Sequence, residues 1–314
     1  MDAFEAFRCG NYSLVLQRIE TLKEKQPIND EQCLLWVRSN YELGRWRDIS
    51  EDRQFAQLAA KSADAASLKI QTLYRLNEWS NLVSFYIETW KNSADESFVI
   101  DGSPLAIGAL VSLGKVEAAH TLAGDVRRFA DNAGNPSPEI SYLEGWTAEL
   151  RGLLREAEIA YTDAILGEDK TEAVLVGRSR VRHALGHVDL AASDAAASLA
   201  SCGGIEDANP EPLIAIIYVY DHAARIVKNL PQASILIAQA VRRAKYRYLA
   251  YPLSFEPLWG YAAAVGAAKK CGADSSIDVL AETRTVMDAL QKLPSVDQSL
   301  ILLGSWTSWL KLPH

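Results

Sequence analysis

The chain has little of what most often carries catalysis or cross-linking: four Cys, five His and two Met in 314 residues. Cys9, Cys33, Cys202 and Cys271 are too few and too scattered for a disulfide framework or a structural zinc site, so buried or half-buried free thiols are expected. His183 and His187 stand four apart, the spacing of a helical metal pair. Gly186 falls between them at a predicted turn, however, no Glu follows in the metalloprotease pattern, and His120, His222 and His314 are isolated. There is no Gly-rich phosphate loop with a following Lys-Ser/Thr and no Gly-x-Ser-x-Gly elbow. No catalytic set, metal or cofactor is therefore expected.

Long apolar runs are also missing. The longest, Leu213 to Tyr220, ends at Asp221, whereas a membrane span needs about 20 apolar residues. Asp2, Glu5 and Arg8 interrupt the first ten residues, so no secretory signal forms and a cytoplasmic location is the expectation. Positive charge is in deficit: 32 Lys+Arg against 40 Asp+Glu give a net charge of −8, which argues against nucleic acid as the main ligand. An apolar content of 49% with 23% charged residues excludes both a disordered chain and a membrane bundle.

Alanine and regularly spaced turn residues are plentiful. There are 45 Ala. Gly10, Gly44, Asn77, Gly114, Gly152, Gly186, Asn229 and Gly272 each precede a new apolar run, at spacings of 34, 33, 37, 38, 34, 43 and 43. The first five cluster on the period of a helix–turn–helix repeat, and Gly or Asn suits a turn that leaves a helix with positive φ. Between turns, apolar residues recur at three and four, predicting helices over 140–150 and 155–166. Ala157, Ala160 and Ala164 leave one helical face nearly bare, so a neighbour can approach closely. Strand patterns are absent. The stretch Asn132 to Pro138 and the stretch Cys202-Gly203-Gly204 to Asn209-Pro210 read as breaks, with a helix starting at Ser137 or Pro138. Pro294-Ser295 precedes a predicted last helix, 296–310, carrying Trp306 and Trp309.

These residues resemble tetratricopeptide (TPR) repeats. The family places a small residue seven before the turn, Ala five after, a bulky residue nine after and Ala twelve after. Gly145, Ala157, Tyr161 and Ala164 match fully around Gly152. Ser179, Ala191, Ala195 and Ser198 match around Gly186 except for Ala195 at the bulky position. The turns at Asn77, Asn229 and Gly272 depart most, with Leu82, Ser234 and Ile277 at the fifth position. The segments Phe7 to Tyr12 and Tyr41 to Trp46 also resemble the coatomer epsilon subunit, itself such a solenoid. The resemblance implies an all-α, right-handed α-solenoid of about eight TPR-like repeats with a C-terminal capping helix. It would form a single domain over 1–314, with a sub-boundary near 202–211 between a regular part and a divergent one.

By the same resemblance, the tenth, sixth and third residues before each turn face a concave groove. That selects Arg38 and Tyr41, Gln71 and Tyr74, then Tyr142, Trp146 and Glu149, and finally Arg180 and His183 as partner-binding residues. A Trp with Tyr and Arg neighbours has the composition of a binding hot spot, and inter-repeat core is the competing account of Trp146. The Lys and Asn with which some family members clamp a carboxylate terminus are missing at these positions. Arg242, Arg243, Lys245 and Arg247 form a basic stretch with two Tyr, either a patch for an acidic peptide or nucleic acid or a solvated helix face. The expected function is a non-catalytic adaptor or scaffold for a protein or peptide partner. The alternatives are a structural subunit of a larger hetero-complex, such as a coat or secretion complex, and a small-molecule-responsive regulator using Arg180, Arg182 and His183.

Overall fold

The computed structural model describes residues 2–92, 95–167, 172–250, 255–272 and 276–292. The predicted last helix over 296–310, with Trp306 and Trp309, lies outside them. Among the described residues the chain is all-α, with 18 helices, no strand, and no helix long and apolar enough to cross a membrane. Contacts divide the chain into two compact units, 1–111 and 112–314.

The first unit holds α1 (Ala3–Arg8), α2 (Tyr12–Lys23), α3 (Asp30–Glu42), α4 (Trp46–Glu51), α5 (Arg53–Ala59), α6 (Ala63–Arg75), α7 (Trp79–Asn92) and α8 (Glu96–Ser112), the last ending at the division. The second holds α9 (Val116–Asn132), α10 (Pro138–Leu150), α11 (Leu154–Leu166), α12 (Glu172–Ala184), α13 (Val188–Ser201), α14 (Pro210–Tyr218), α15 (Tyr220–Ile226), α16 (Ala233–Ala250), α17 (Phe255–Cys271) and α18 (Val279–Leu290).

All eight punctuating residues adopt left-handed backbone, with φ between 57° and 83°. Around five of them, Gly10, Gly44, Asn77, Gly152 and Gly186, the hydrogen bonds follow one scheme. The residue after the turn donates from its N–H to a carbonyl five back, as in Asn11 to Ala6, Arg45 to Asn40, Glu78 to Leu73 and Leu153 to Ala148, each 2.9 Å. This closes the helix on its orphan carbonyls and reverses the chain. The break at 132–138 ends as its residues dictate, with the Ser137 hydroxyl accepting from the Ile140 N–H and Pro138 opening α10.

Local chemistry also explains two irregularities. Two short helices follow Gly44, because the Asp52 carboxylate accepts from the Phe55 N–H at 2.8 Å and starts α5. Pro104 lies inside α8 and cannot bond the Ile100 carbonyl; the Ser103 hydroxyl donates to that oxygen instead, at 2.8 Å.

The repeat register governs burial. The fifth residue after each of the first six turns (Val15, Ile49, Leu82, Ala119, Ala157 and Ala191) is fully buried. At the ninth position Tyr86 and Tyr161 fill the interior of their units. Tyr161, on α11, lies between two glycines: a Cβ on Gly145 of α10 would sit 2.9 Å from its ring, and one on Gly177 of α12 only 2.6 Å. Tyr86 on α7 faces Gly102 of α8 in the same way and donates its hydroxyl to the Val99 carbonyl at 2.7 Å.

In the second unit the helices pack in chain order. α10 lies on α9 and α11, α11 on α12, and α12 on α13, while α12, α14 and α17 touch in succession. Residues on both sides of 202–211 share one core, Val176, Ala195 and Leu199 packing with Leu213, Ile217 and Leu236.

Gly145→Ala and Gly177→Ala are each expected to lower stability by about 1–3 kcal/mol through overpacking on Tyr161. Gly152→Ala, with open space around it, should cost only the left-handed strain, about 1–2 kcal/mol. Urea midpoints at unchanged slope measure all three.

Candidate functional site

The residues that the repeat resemblance selects fall in both units. In the second, residues of α10 and α12 join others from α14 and α17 in a connected cluster. Glu149 near the end of α10 receives three donors: Arg180 of α12 bonds it through Nε and, at 2.7 Å, through Nη2, and the Tyr161 hydroxyl donates at 2.9 Å. The Arg180 and Glu149 side chains retain only 10% and 13% of their exposure. Burial works against the guanidinium charge, but Glu149 outweighs it and holds the Arg180 pKa above the usual arginine value. Burial, reinforced by the Glu149 charge, raises the Tyr161 phenol well above the tyrosine range. The other face of Arg180 is covered by the Trp259 ring of α17, 4.8 Å to the centroid, and Tyr142 tilts against Tyr161 at 5.9 Å.

One turn further along α12, half-buried His183 meets the edge of Tyr218 of α14, and Lys270 of α17 lies over the same Tyr218 ring at 5.4 Å. Burial, then the Lys270 charge, lowers the His183 pKa. Trp146 sits half-buried on α10, one turn before Glu149. Tyr142, Glu149, Arg180 and His183 are thus brought together, and Tyr218, Trp259 and Lys270 join them unannounced by the sequence. Counting back from Asn229 fails to find Tyr218, because Val219 breaks the apolar run into α14 and α15.

The arginines flanking Arg180 face the opposite side of α12. Arg178 makes a two-pronged pair with Asp194 of α13 at 3.0 and 2.7 Å, and Arg182 bridges Asp194 and Glu158 of α11, both at 2.8 Å. The basic stretch of α16 is likewise engaged within the chain. Arg243 donates to the carbonyls of Ile205, Glu206 and Ala208; Lys245 pairs with Glu282 and Arg247 with Glu211, each at 2.8 Å; Arg242 reaches the Ser276 hydroxyl at 2.6 Å. These four cations tie α16 to the 205–211 segment and to α18 or its approach.

In the first unit Arg38 is exposed and 3.7 Å from Asp64, Tyr41 accepts from Arg75 at 3.3 Å, Gln71 is exposed, and Tyr74 meets the edge of Trp79 at 5.0 Å. His187 lies 3.9 Å from Glu158 while His183 faces Tyr218, so the two imidazoles point to different partners. Among the described residues no group of three metal-ligating side chains converges. Compared with known proteins, the chain matches no family model and no curated sequence.

Arg180→Met leaves Glu149 buried without its cation and is expected to cost about 3–5 kcal/mol, whereas Arg180→Met with Glu149→Leu should recover most of that loss. Denaturant titration of the cycle checks it. His183 refuses a proton that the unfolded chain accepts, so its contribution to stability is present at neutral pH and lost as pH falls below about 6.5. His183→Gln should flatten that part of the stability curve between pH 7.5 and 5.5, read against wild type.

Proposed function

We propose that the chain is a non-catalytic adaptor: a right-handed α-solenoid of about eight TPR-like hairpins that recruits a protein or peptide along its inner helices. Eight left-handed turns, the buried fifth position after the first six, and the chain-order packing of the second unit support the solenoid. The observation that carries the binding reading is the aromatic and cationic cluster of His183 on α12, Tyr218 on α14, and Trp259 and Lys270 on α17, with half-buried Trp146 on α10 beside Glu149 in sequence. Aromatic anchors beside a cation are the composition of interface hot spots. Arg180 and Glu149 serve this surface by bracing it from below, since the pair is itself nearly closed to solvent.

A second reading, a structural subunit of a hetero-complex, draws on a different surface. Ile159 and Leu166, seven apart on α11, and Leu190 on α13 are 62%, 77% and 50% exposed. Such side chains suit a broad contact between subunits.

Affinity capture from the native cell with the full chain, repeated with Trp146→Ala/Lys270→Glu, separates the readings. The adaptor reading expects partner recovery to fall at least about ten-fold, roughly 1.4 kcal/mol, at unchanged helicity. Unchanged recovery with this variant, together with loss on Ile159→Glu/Leu166→Glu, would transfer the function to the outer face.

A further inference from the structure

The first unit contains a cleft of about 350 Å³ that the adaptor reading does not use. Its floor is α6, and its sides are α4 and α5 on one hand and α7 on the other. The size lies at the lower end of the range for small-molecule sites. Lys69 of α6 reaches into it, half-buried, with Nζ 4.2 Å from the centre of the Phe85 ring.

Other half-buried lysines of this chain have carboxylates to bond. Lys23 lies over Trp36 at 3.8 Å but also bonds Asp52 at 2.9 Å, and Lys245 bonds Glu282. Among the described residues Lys69 has the ring and no hydrogen bond or ion pair, so its ammonium is open to an acceptor that enters the cleft. Burial holds its pKa below the ordinary lysine value, with Glu88 acting in the opposite direction.

The rest of the lining restricts what could complete it. Glu78, just before α7, and Glu88 of α7 bring two negative charges to one positive, so a phosphate or dicarboxylate would meet net repulsion. Asn81 donates to Glu78 at 2.8 Å and leaves that carboxylate its second oxygen. Phe55 and Leu73 supply apolar wall between the charged groups. A carboxylate for Lys69, an ammonium on the adjoining carbon for Glu78 and Glu88, and an aliphatic side chain against Phe55 and Leu73 make one molecule.

We propose that this cleft binds a free α-amino acid with an aliphatic side chain, its carboxylate on Lys69 and its ammonium toward Glu78 and Glu88. The site gives the protein a metabolite input on a unit separate from the row on α10–α17.

The test is calorimetric titration of the full chain with L-leucine, L-isoleucine and L-methionine to about 10 mM, paralleled by melting curves, since a ligand of the folded state raises the melting temperature. N-acetyl-L-leucine keeps only the carboxylate and L-leucinamide only the ammonium. Saturable binding of at least one free amino acid is expected, with each blocked analogue weakened about ten-fold or more. Lys69→Met and Glu88→Gln should each weaken binding to a similar extent, and the unliganded melting temperature reports whether either variant is misfolded. Glu88 is exposed, so its variant keeps the test decisive if Lys69→Met does not fold. Absence of binding by all three amino acids overturns the proposal. So does equal binding of N-acetyl-L-leucine, which would mark a plain anion site, or undiminished binding by both variants.

Discussion

The second unit depends on one contact: a tyrosine ring held between two glycines. Tyr161 brings α10, α11 and α12 together because Gly145 and Gly177 have no side chain where the ring must lie. Protein interiors are packed densely enough that a single methyl in such a place forces movement. The same ring carries the only polar atom it could not leave unpaired, and that hydroxyl lands on Glu149, which in turn fixes Arg180. Shape and charge are therefore settled by one residue. The first unit repeats the device with Tyr86, Gly102 and the Val99 carbonyl.

Around this contact the arginines of α12 divide by face. Arg180 turns toward α10 and α17, while Arg178 and Arg182 turn toward α11 and α13, where Asp194 takes both. A three-arginine stretch that looks like an anion-binding run is in fact neutralised by carboxylates from three neighbouring helices. Buried pairs of this kind add little net stability, but they penalise any displacement that separates them. They hold helix order and leave the aromatic row as the chemically distinctive part of the surface.

How much of this could be read from the residues follows from how local each signal is. Turns are local, so Gly10 through Gly272 announce themselves, and the Gly145–Tyr161 match is visible at fixed offsets from Gly152. The helix start read at Ser137 or Pro138 falls at Pro138, where the Ser137 hydroxyl caps α10, and α11 opens at Leu154, one residue before the periodic stretch 155–166. Beyond residue 202 offsets lose their meaning: Val219 interrupts a run that composition alone presents as continuous. Pairings are less legible still. Nothing near Arg180 points to Glu149, 31 residues earlier, and nothing in Arg242–Arg247 foretells that Arg243 closes on carbonyls of residues 205–208. The Lys69 cleft left no trace in spacing, since its lining comes from four helices.

The ionic contacts lie at very different depths, and dissolved salt acts on them unequally. Arg128 with Asp125 and Arg38 with Asp64 stand mostly in solvent, where mobile ions at physiological concentration screen charges over about 8 Å. Arg180 with Glu149 is beyond the reach of those ions. A rise in electrolyte thus relaxes the rim and leaves the centre taut, giving the molecule a surface that yields to its medium around a joint that does not.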